Sequence, residues 1–414
     1  MKSLDYNLMS KTKQKLMPEL RFPEFKDERE WDYFNGNKLF KTVSNKNHNS
    51  DLTILAVTQD QGAVPREDIN YHVSVSKKSV ESYKIVDKGD FIISLRSFQG
   101  GIEYSNYLGI CSPAYIILRK RKKQDLNAFY KHYFKTDVFI SNLNKNLEGI
   151  RDGKMVSYKQ FSEILIPEPQ PKEQKKIAAC LSSLDDLITA HNDKLVAIQR
   201  HKKGLLQNLF PQEGQKVPNY RFKEFKNYGE WKEDTLTGIC EVNPRSTELP
   251  NEFIYIDLES VHNGILIKKN SIDRINAPSR AQRLLKNKDV IFQMVRPYQR
   301  NNFHFIKDDI FNYVASTGYA QLRAFNSSQF LFQLMHTDVF VKRVLTKCSG
   351  SNYPAIRSSD LSNIIISIPK PVEQQKIAAC LSSVDELITA QKEKIEQLKL
   401  QKKGFLQGLF PKVD

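Results

Sequence analysis

The chain has 414 residues, 40% of them apolar, with 63 Lys and Arg against 47 Asp and Glu for a net charge of +16. This is enough for two packed domains, and the positive surplus favours a polyanionic partner such as nucleic acid. Five cysteines without a Cys-x-x-Cys pair argue against a zinc site or a disulfide framework. The absence of a signal-peptide core and of any apolar run near membrane-spanning length points to a cytoplasmic protein with no membrane partner.

Residues 1–17 read as an N-terminal extension, and 18–166 as a first domain. Phe22, Phe25 and Trp31 are expected to pack its opening segment onto the core. The apolar runs 54–57, 91–95 and 114–118 read as buried strands, and 126–147 as helix. Two loops carry basic and amide side chains beside glycine: 96–101, with Arg96 and Gln99, and 149–154, with Arg151 and Lys154. Arg and Lys suit guanine edges and phosphates, while Asn and Gln suit adenine edges. These four are candidate DNA contacts; solvated basic loops are the plain alternative.

A long helix is expected within 167–211. Its proline-rich start suits a helix N-terminus, and Glu173 lies near the positive end of the helix dipole. Ile177, Leu181, Leu184, Ile188, Leu195 and Ile198 recur at alternating steps of four and three, with His191 and Lys202 filling the gaps. That is a heptad seam. After a linker at 212–217, the order repeats. A second domain is expected over 218–367, with strands at 290–292 and 319–322 and helix at 327–347. A second long helix is expected in 368–411, with Ile377, Leu381, Val384, Ile388, Ile395 and Leu398 on its seam and Gln391 in the place of His191. The loops 296–302 and 349–353 supply Arg296, Tyr298, Gln299, Arg300, Asn302, Asn352 and Tyr353 as further candidate DNA contacts.

The second half is a copy of the first. Residues 173–190 read EQKKIAACLSSLDDLITA and 373–390 read EQQKIAACLSSVDELITA, with fifteen of eighteen positions identical at an offset of 200. Pro18, Arg21, Phe22, Phe25 and Trp31 return as Pro218, Arg221, Phe222, Phe225 and Trp231. Lys202-Lys203-Gly204 and Leu209-Phe210-Pro211 return at 402–404 and 409–411. The stretches 35–130 and 235–330 share little. A shared part implies a shared task, and a divergent part implies two different targets.

A helix of about 38 residues is about 57 Å long, and so long a seam must be covered. Antiparallel pairing of the two copies is preferred over a parallel pair; docking of each helix on its own domain is the other possibility. His191 and Gln391 would then set register, although an exposed heptad edge is the preferred reading of His191. No catalytic centre is legible. The segment 149–155 has the wrong spacing for a phosphate-binding loop and Met155 where Ser or Thr should hold magnesium. Ser112-Pro113-Ala114-Tyr115 lacks the second proline of the amino-methyltransferase tetrapeptide, and no His, Cys and carboxylate group has metal-ligand spacing.

These features resemble the specificity subunit of type I restriction-modification systems over about 17–411. The resemblance rests on Pro-x-x-Arg-Phe-x-x-Phe at 18–25 and 218–225, Pro-x-Glu-Gln-x-Lys-Ile-Ala at 171–178 and 371–378, and Lys-Lys-Gly-x-Leu-Gln-x-Leu-Phe at 202–210 and 402–410. It implies a mixed α/β fold of two target-recognition domains separated by two long antiparallel helices, with a pseudo-two-fold repeat. It implies a non-catalytic subunit that reads a split site on double-stranded DNA. Two adenine methyltransferase subunits would carry S-adenosylmethionine, and two translocating nuclease subunits ATP and magnesium. DNA advances 34–36 Å per turn, so a spacer of about 57 Å suits half-sites one to two turns apart. A stand-alone DNA-binding regulator and a coiled-coil assembly adaptor remain as rivals. The duplication with divergent loops argues against both, less strongly against the first.

Overall fold

A computed structural model describes residues 17–69, 77–122, 126–145, 156–246 and 248–411. The chain forms two compact units, residues 1–191 with 394–414, and residues 192–393. These are not the two sequence repeats. Each unit takes the start of one long helix and the end of the other.

In the first unit a four-stranded antiparallel sheet runs in the order Phe40–Val43, Ile116–Lys120, Phe91–Ile93, Glu103–Tyr104. Ile92 pairs with Ile117 and Phe91 with Leu118, and all four are buried. Such two-sided burial explains the continuous apolar runs in the sequence. Arg119 braces the sheet by a bidentate contact to buried Asp90, at 2.7 and 2.6 Å, which raises the Arg119 pKa. The run at 54–57 forms a strand at Leu55–Thr58, paired with Gly62–Pro65.

The second unit repeats this sheet as Cys240–Val242, Tyr319–Ala324, Val290–Gln293, Phe303–His304. Asp289 and Arg323 occupy the places of Asp90 and Arg119, with contacts of 2.9 Å. This unit adds a second four-stranded sheet, Asn270–Asp273, Glu252–Ile256, Tyr313–Ser316, Ala281–Leu284, containing one parallel pair. The unlike sequences of the two middle segments therefore build unlike structures on a shared base.

The expected single helices at 126–147 and 327–347 are each two. The first unit has Asn127–Tyr133 and Asp137–Lys145, the second Ser328–Leu334 and Asp338–Leu345. Thr136 and Thr337 divide them. Each hydroxyl donates to a carbonyl of the helix just ended and accepts from an amide of the next, Phe139 or Phe340. An N-cap inside an amphipathic stretch starts a new helix.

The long helices span Pro171–Leu209 and Pro371–Gly408. Arg21 grips Glu173 through two bonds of 2.8 and 2.9 Å, and Arg221 grips Glu373 at 2.8 and 2.7 Å. Both pairs are buried. The repeated Pro-x-x-Arg-Phe and Pro-x-Glu motifs are thus two halves of one clamp, which pins the start of each long helix to the opening segment of its own domain. Trp31, Trp231, Phe25 and Phe225 are buried, as the packing role requires.

Within each unit the two helices run antiparallel. In the first, Ile177, Ala178 and Leu181 share a core with Leu409 and Phe410, and Lys402 pairs with Asp185. In the second, Ile377, Ala378 and Leu381 share a core with Leu209 and Phe210, and Lys202 pairs with Asp385 at 2.5 Å. The helix starts also dock on their own domains, so pairing and docking coexist. Burial follows the seam: Ile177, Leu181, Ile377, Leu381, Val384, Ile395 and Leu398 are buried, whereas Leu184, Ile188, Leu195, Ile198 and Ile388 are half-buried. Gln391 is buried and His191 half-buried, so His191 is not an exposed edge.

Phe410, near the end of the chain, lies 5.3 Å from Phe129 and 5.6 Å from Tyr133 between ring centroids. Phe210 stacks on Phe330 at 5.4 Å. The amide of Leu20 donates to the carbonyl of Gly408 and that of Tyr220 to Asn208, both at 2.8 Å. The last turn of each helix thus completes a domain core: the first helix that of the second domain, and the second helix that of the first. Among the described residues no helix is long and apolar enough to cross a membrane.

Candidate nucleic-acid interface

The strand Phe91–Ile93 delivers the chain into the first candidate segment, expected as a loop, which instead forms one helical turn at Ser97–Gly100. Three side chains tie that segment down by its carbonyls. Gln59 donates to Arg96 O at 3.1 Å, Asn144 to Phe98 O at 2.7 Å, and Lys135 to Gly100 O at 2.9 Å. Lys135 also pairs with buried Glu103 at 2.5 Å. Burial pushes the Glu103 carboxyl up to about 7 and lowers the Lys135 pKa. The backbone is thereby fixed, while Arg96 and Gln99 are exposed and their side chains have no hydrogen bond or ion pair among the described residues. Arg151 and Lys154 lie outside the described residues.

Arg96 borders a cleft of about 640 Å³, lined also by Thr58, Gln59, Arg66, Ser94 and Tyr115. Sequence reading missed Gln59 and Arg66. The turn Gln59-Asp60-Gln61-Gly62 between two short apolar runs was the available signal, since glycine before a strand marks a hairpin. Gly62 has φ 76°, and a Cβ there would stand 2.7 Å from Tyr104 O.

In the second unit the strand Val290–Gln293 leads into the equivalent loop. Arg296 and Arg300 both adopt the left-handed conformation, flanking a single 3₁₀ turn at Pro297–Gln299. Arg296 lies half-buried with its guanidinium carbon 4.2 Å from the centre of the Tyr353 ring. Tyr298, Asn352 and Tyr353 are exposed. Gln299 is exposed too, but its side-chain carbonyl accepts from Gln293 at 2.9 Å.

Two candidates serve the scaffold instead. Asn302 is fully buried, and its side-chain carbonyl accepts from Gln293 N at 2.9 Å; it cannot meet a base without dismantling the loop. Arg300 donates to His336 O at 2.8 Å and to Asp338 at 2.6 Å, so its charge is already compensated within the domain. Composition alone could not separate these two from their outward neighbours. Gln293, buried at the end of an apolar strand, was also missed. It accepts from Asn301 N at 3.1 Å and donates to Gln299, and so organises the loop from beneath.

The two units also share surface outside these loops. Thr136, Asp137 and Val138 line a groove of about 480 Å³ with Lys403, Leu406 and Gln407. Thr337, Asp338 and Val339 meet Lys203, Leu206 and Gln207 in the same way, where Arg300 leaves a space of only about 30 Å³. Leu187 and Leu387, at equivalent helix positions, are both exposed. Among the described residues no group of three or more His, Cys, Asp or Glu could hold a metal.

The model of the type I restriction modification DNA specificity domain matches residues 30–200 and again 228–400. The MjaVIII specificity subunit of a type I restriction enzyme from Methanocaldococcus jannaschii is 26% identical over 358 residues, 82% of this chain and 81% of that protein. The HindI specificity subunit of Haemophilus influenzae is 26% identical over 182 residues, 41% of this chain and 39% of that protein. The fold is similar to that of the type I restriction-modification S subunit of M. genitalium, with a TM-score of 0.59, 14% identity and coverage of 96% and 100%. A chain from a structure of type I restriction-modification complex assembly gives a TM-score of 0.55 at 17% identity, covering 92% and 98%.

Proposed function

Because the chain belongs to the type I restriction-modification DNA specificity family, we propose that each of its units reads one half of a split, asymmetric site on double-stranded DNA for partner subunits that perform the chemistry. One observation carries this reading: the two halves keep the clamps, the helix seam and the domain base alike, and differ in the loops and middle sheets. Two readers on one frame match a site with two unlike halves. The outward side chains of Arg96 and Gln99 in one unit, and of Arg296, Tyr298, Asn352 and Tyr353 in the other, supply the donors and stacking faces that base edges and phosphates need.

The partners follow from the duplication. Two copies of one methyltransferase subunit would engage the repeated surface, including Leu187 and Leu387 and the two grooves at 136–138 and 337–339. The methyltransferase would bring S-adenosylmethionine, and translocating nuclease subunits ATP and magnesium. The chain itself would contribute address rather than catalysis, in the cytoplasm where its DNA lies.

Co-expression with a candidate methyltransferase subunit, followed by mapping of methylated adenines, tests the reading. The expected result is one split motif with unlike halves. DNA binding by the complex should also weaken steeply with salt, as phosphate contacts require. Methylation with no split motif, or a complex that ignores DNA, would refute it.

A further inference from the structure

Arg296 is held in a conformation that a non-glycine residue adopts only when its surroundings insist, at φ 54° and ψ 55°. Arg300 of the same turn shares this conformation, so the backbone alone does not mark a ligand site; it shows that the loop is held firmly. The insistence is visible. Arg296 N donates to Pro354 O at 2.7 Å, Ile356 N donates to Met294 O at 3.1 Å, and Val295 forms a bridge with Ala355. Opposite, Ser349 and Ala355 exchange two backbone bonds of 3.0 Å and close the loop that carries Tyr353. Gly350, at φ 92°, makes that closure possible, since a Cβ there would stand 3.1 Å from Tyr353 O. Two loops distant in sequence are thus laced together, and what their lacing presents outward is a guanidinium lying on an exposed phenol ring.

The guanidinium has no hydrogen bond or ion pair among the described residues. Arg221, Arg274, Arg300, Arg323 and Arg343 of the same unit each contact a carboxylate. Arg200, Arg245, Arg280, Arg283 and Arg357 have no such contact among the described residues either, so what sets Arg296 apart is the ring beneath it. Among the described residues Arg296 is the one arginine stacked on an aromatic ring. With its carbon 4.2 Å over the Tyr353 ring, the guanidinium is held in place by a contact that uses none of its N–H donors. A phosphate would be served by any mobile positive charge. A fixed plane with two parallel donors matches a fixed plane with two adjacent acceptors, and in the major groove that is the O6 and N7 edge of guanine.

We propose that Arg296 reads a guanine in the half-site of the second unit, with Tyr353 as the positioning residue that fixes the plane of its fork. The proposal rests on the DNA-reading role above and names the base that role requires. The test uses the full chain with its methyltransferase partner and compares methylated-site profiles of wild type and variants. R296A should make one G·C position in one half-site degenerate, with discrimination falling by on the order of tenfold to a hundredfold. The other half-site should be unchanged. R296K should lose the same discrimination although it keeps the charge. Y353F should behave as wild type, and Y353L should lose part of the preference at that same position only. An R296A profile as stringent as wild type, a uniform drop on all sequences, or a change at an A·T position would overturn the proposal while leaving the DNA-reading role intact. A wild-type profile without any split motif would overturn both.

Discussion

Replacement of Phe410 by alanine should loosen the first unit and leave the second untouched, whereas Phe210→Ala should do the reverse. Phe410 is almost fully buried, in ring contact with Trp31, Phe129 and Tyr133. Phe210 is equally buried against Trp231 and Phe330. Truncating a core phenylalanine costs about 3–5 kcal/mol. Every 1.4 kcal/mol is a factor of ten, so amides that exchange by opening of the affected unit should exchange roughly a hundredfold to several thousandfold faster. Hydrogen exchange read by mass spectrometry resolves this by peptide. In F410A the helix Asn127–Tyr133 and the strand Phe91–Ile93 should lose protection, and in F210A the helix Ser328–Leu334 and the strand Val290–Gln293. If F410A instead loosened Ser328–Leu334, or if each variant loosened the domain of its own repeat, the assignment of helix ends to cores would be wrong.

Arg221→Ala should destabilise the second unit by about 3–5 kcal/mol in denaturant unfolding, because it strands buried Glu373 without its partner; an exposed pair would show under 1 kcal/mol. Burial holds the His132 pKa down to about 3. The unfolded chain takes up that proton near pH 6.5, so the contribution is full above that value and is lost as pH falls toward 3, by about 2 kcal/mol at pH 5. H132Q should flatten this part of the stability profile of the first unit, and an unchanged slope would contradict it. Seven residues inserted after His191 and after Gln391 preserve the heptad seam and lengthen each helix by about 10 Å. Methylation mapping of that variant should show the preferred gap widened by about three base pairs, and retention of the original gap would rule out the helices as a ruler.

The repeat, the helix seam and the buried strands were legible because each is written as a period: an offset of 200, alternating steps of three and four, or an unbroken apolar run. The clamps were half legible. Arg21 and Glu173 stood out as repeated residues, but nothing in a linear sequence says that they touch. The breaks at Thr136 and Thr337 were missed because a cap inside a continuous amphipathic stretch leaves the apolar pattern intact. Of the candidate loops, 296–302 is a loop around one 3₁₀ turn and 349–353 a loop, whereas 96–101 holds a helical turn at Ser97–Gly100 and 149–154 lies outside the described residues; which of their side chains face outward was not legible. Arg300 and Asn302 have the same side chains as Arg296 and Asn352, and only the fold decides which face inward. The second sheet of the second unit was not read at all, since strands as short as Asn270–Asp273, mostly exposed and rich in polar residues, carry little alternation.

The placement of Leu409 and Phe410 in the first core sets an order of events on the ribosome. The last strand of the first domain ends at Glu168, and Phe410 follows 410 − 168 = 242 residues later. At 5–20 residues per second that interval is about 12–50 s. Throughout it, an aromatic socket formed by Trp31, Phe129 and Tyr133 waits unfilled while the entire second half is translated. The piece made first is the piece finished last, and a polypeptide released early would leave that socket open to the proteases and chaperones that survey unfinished cores.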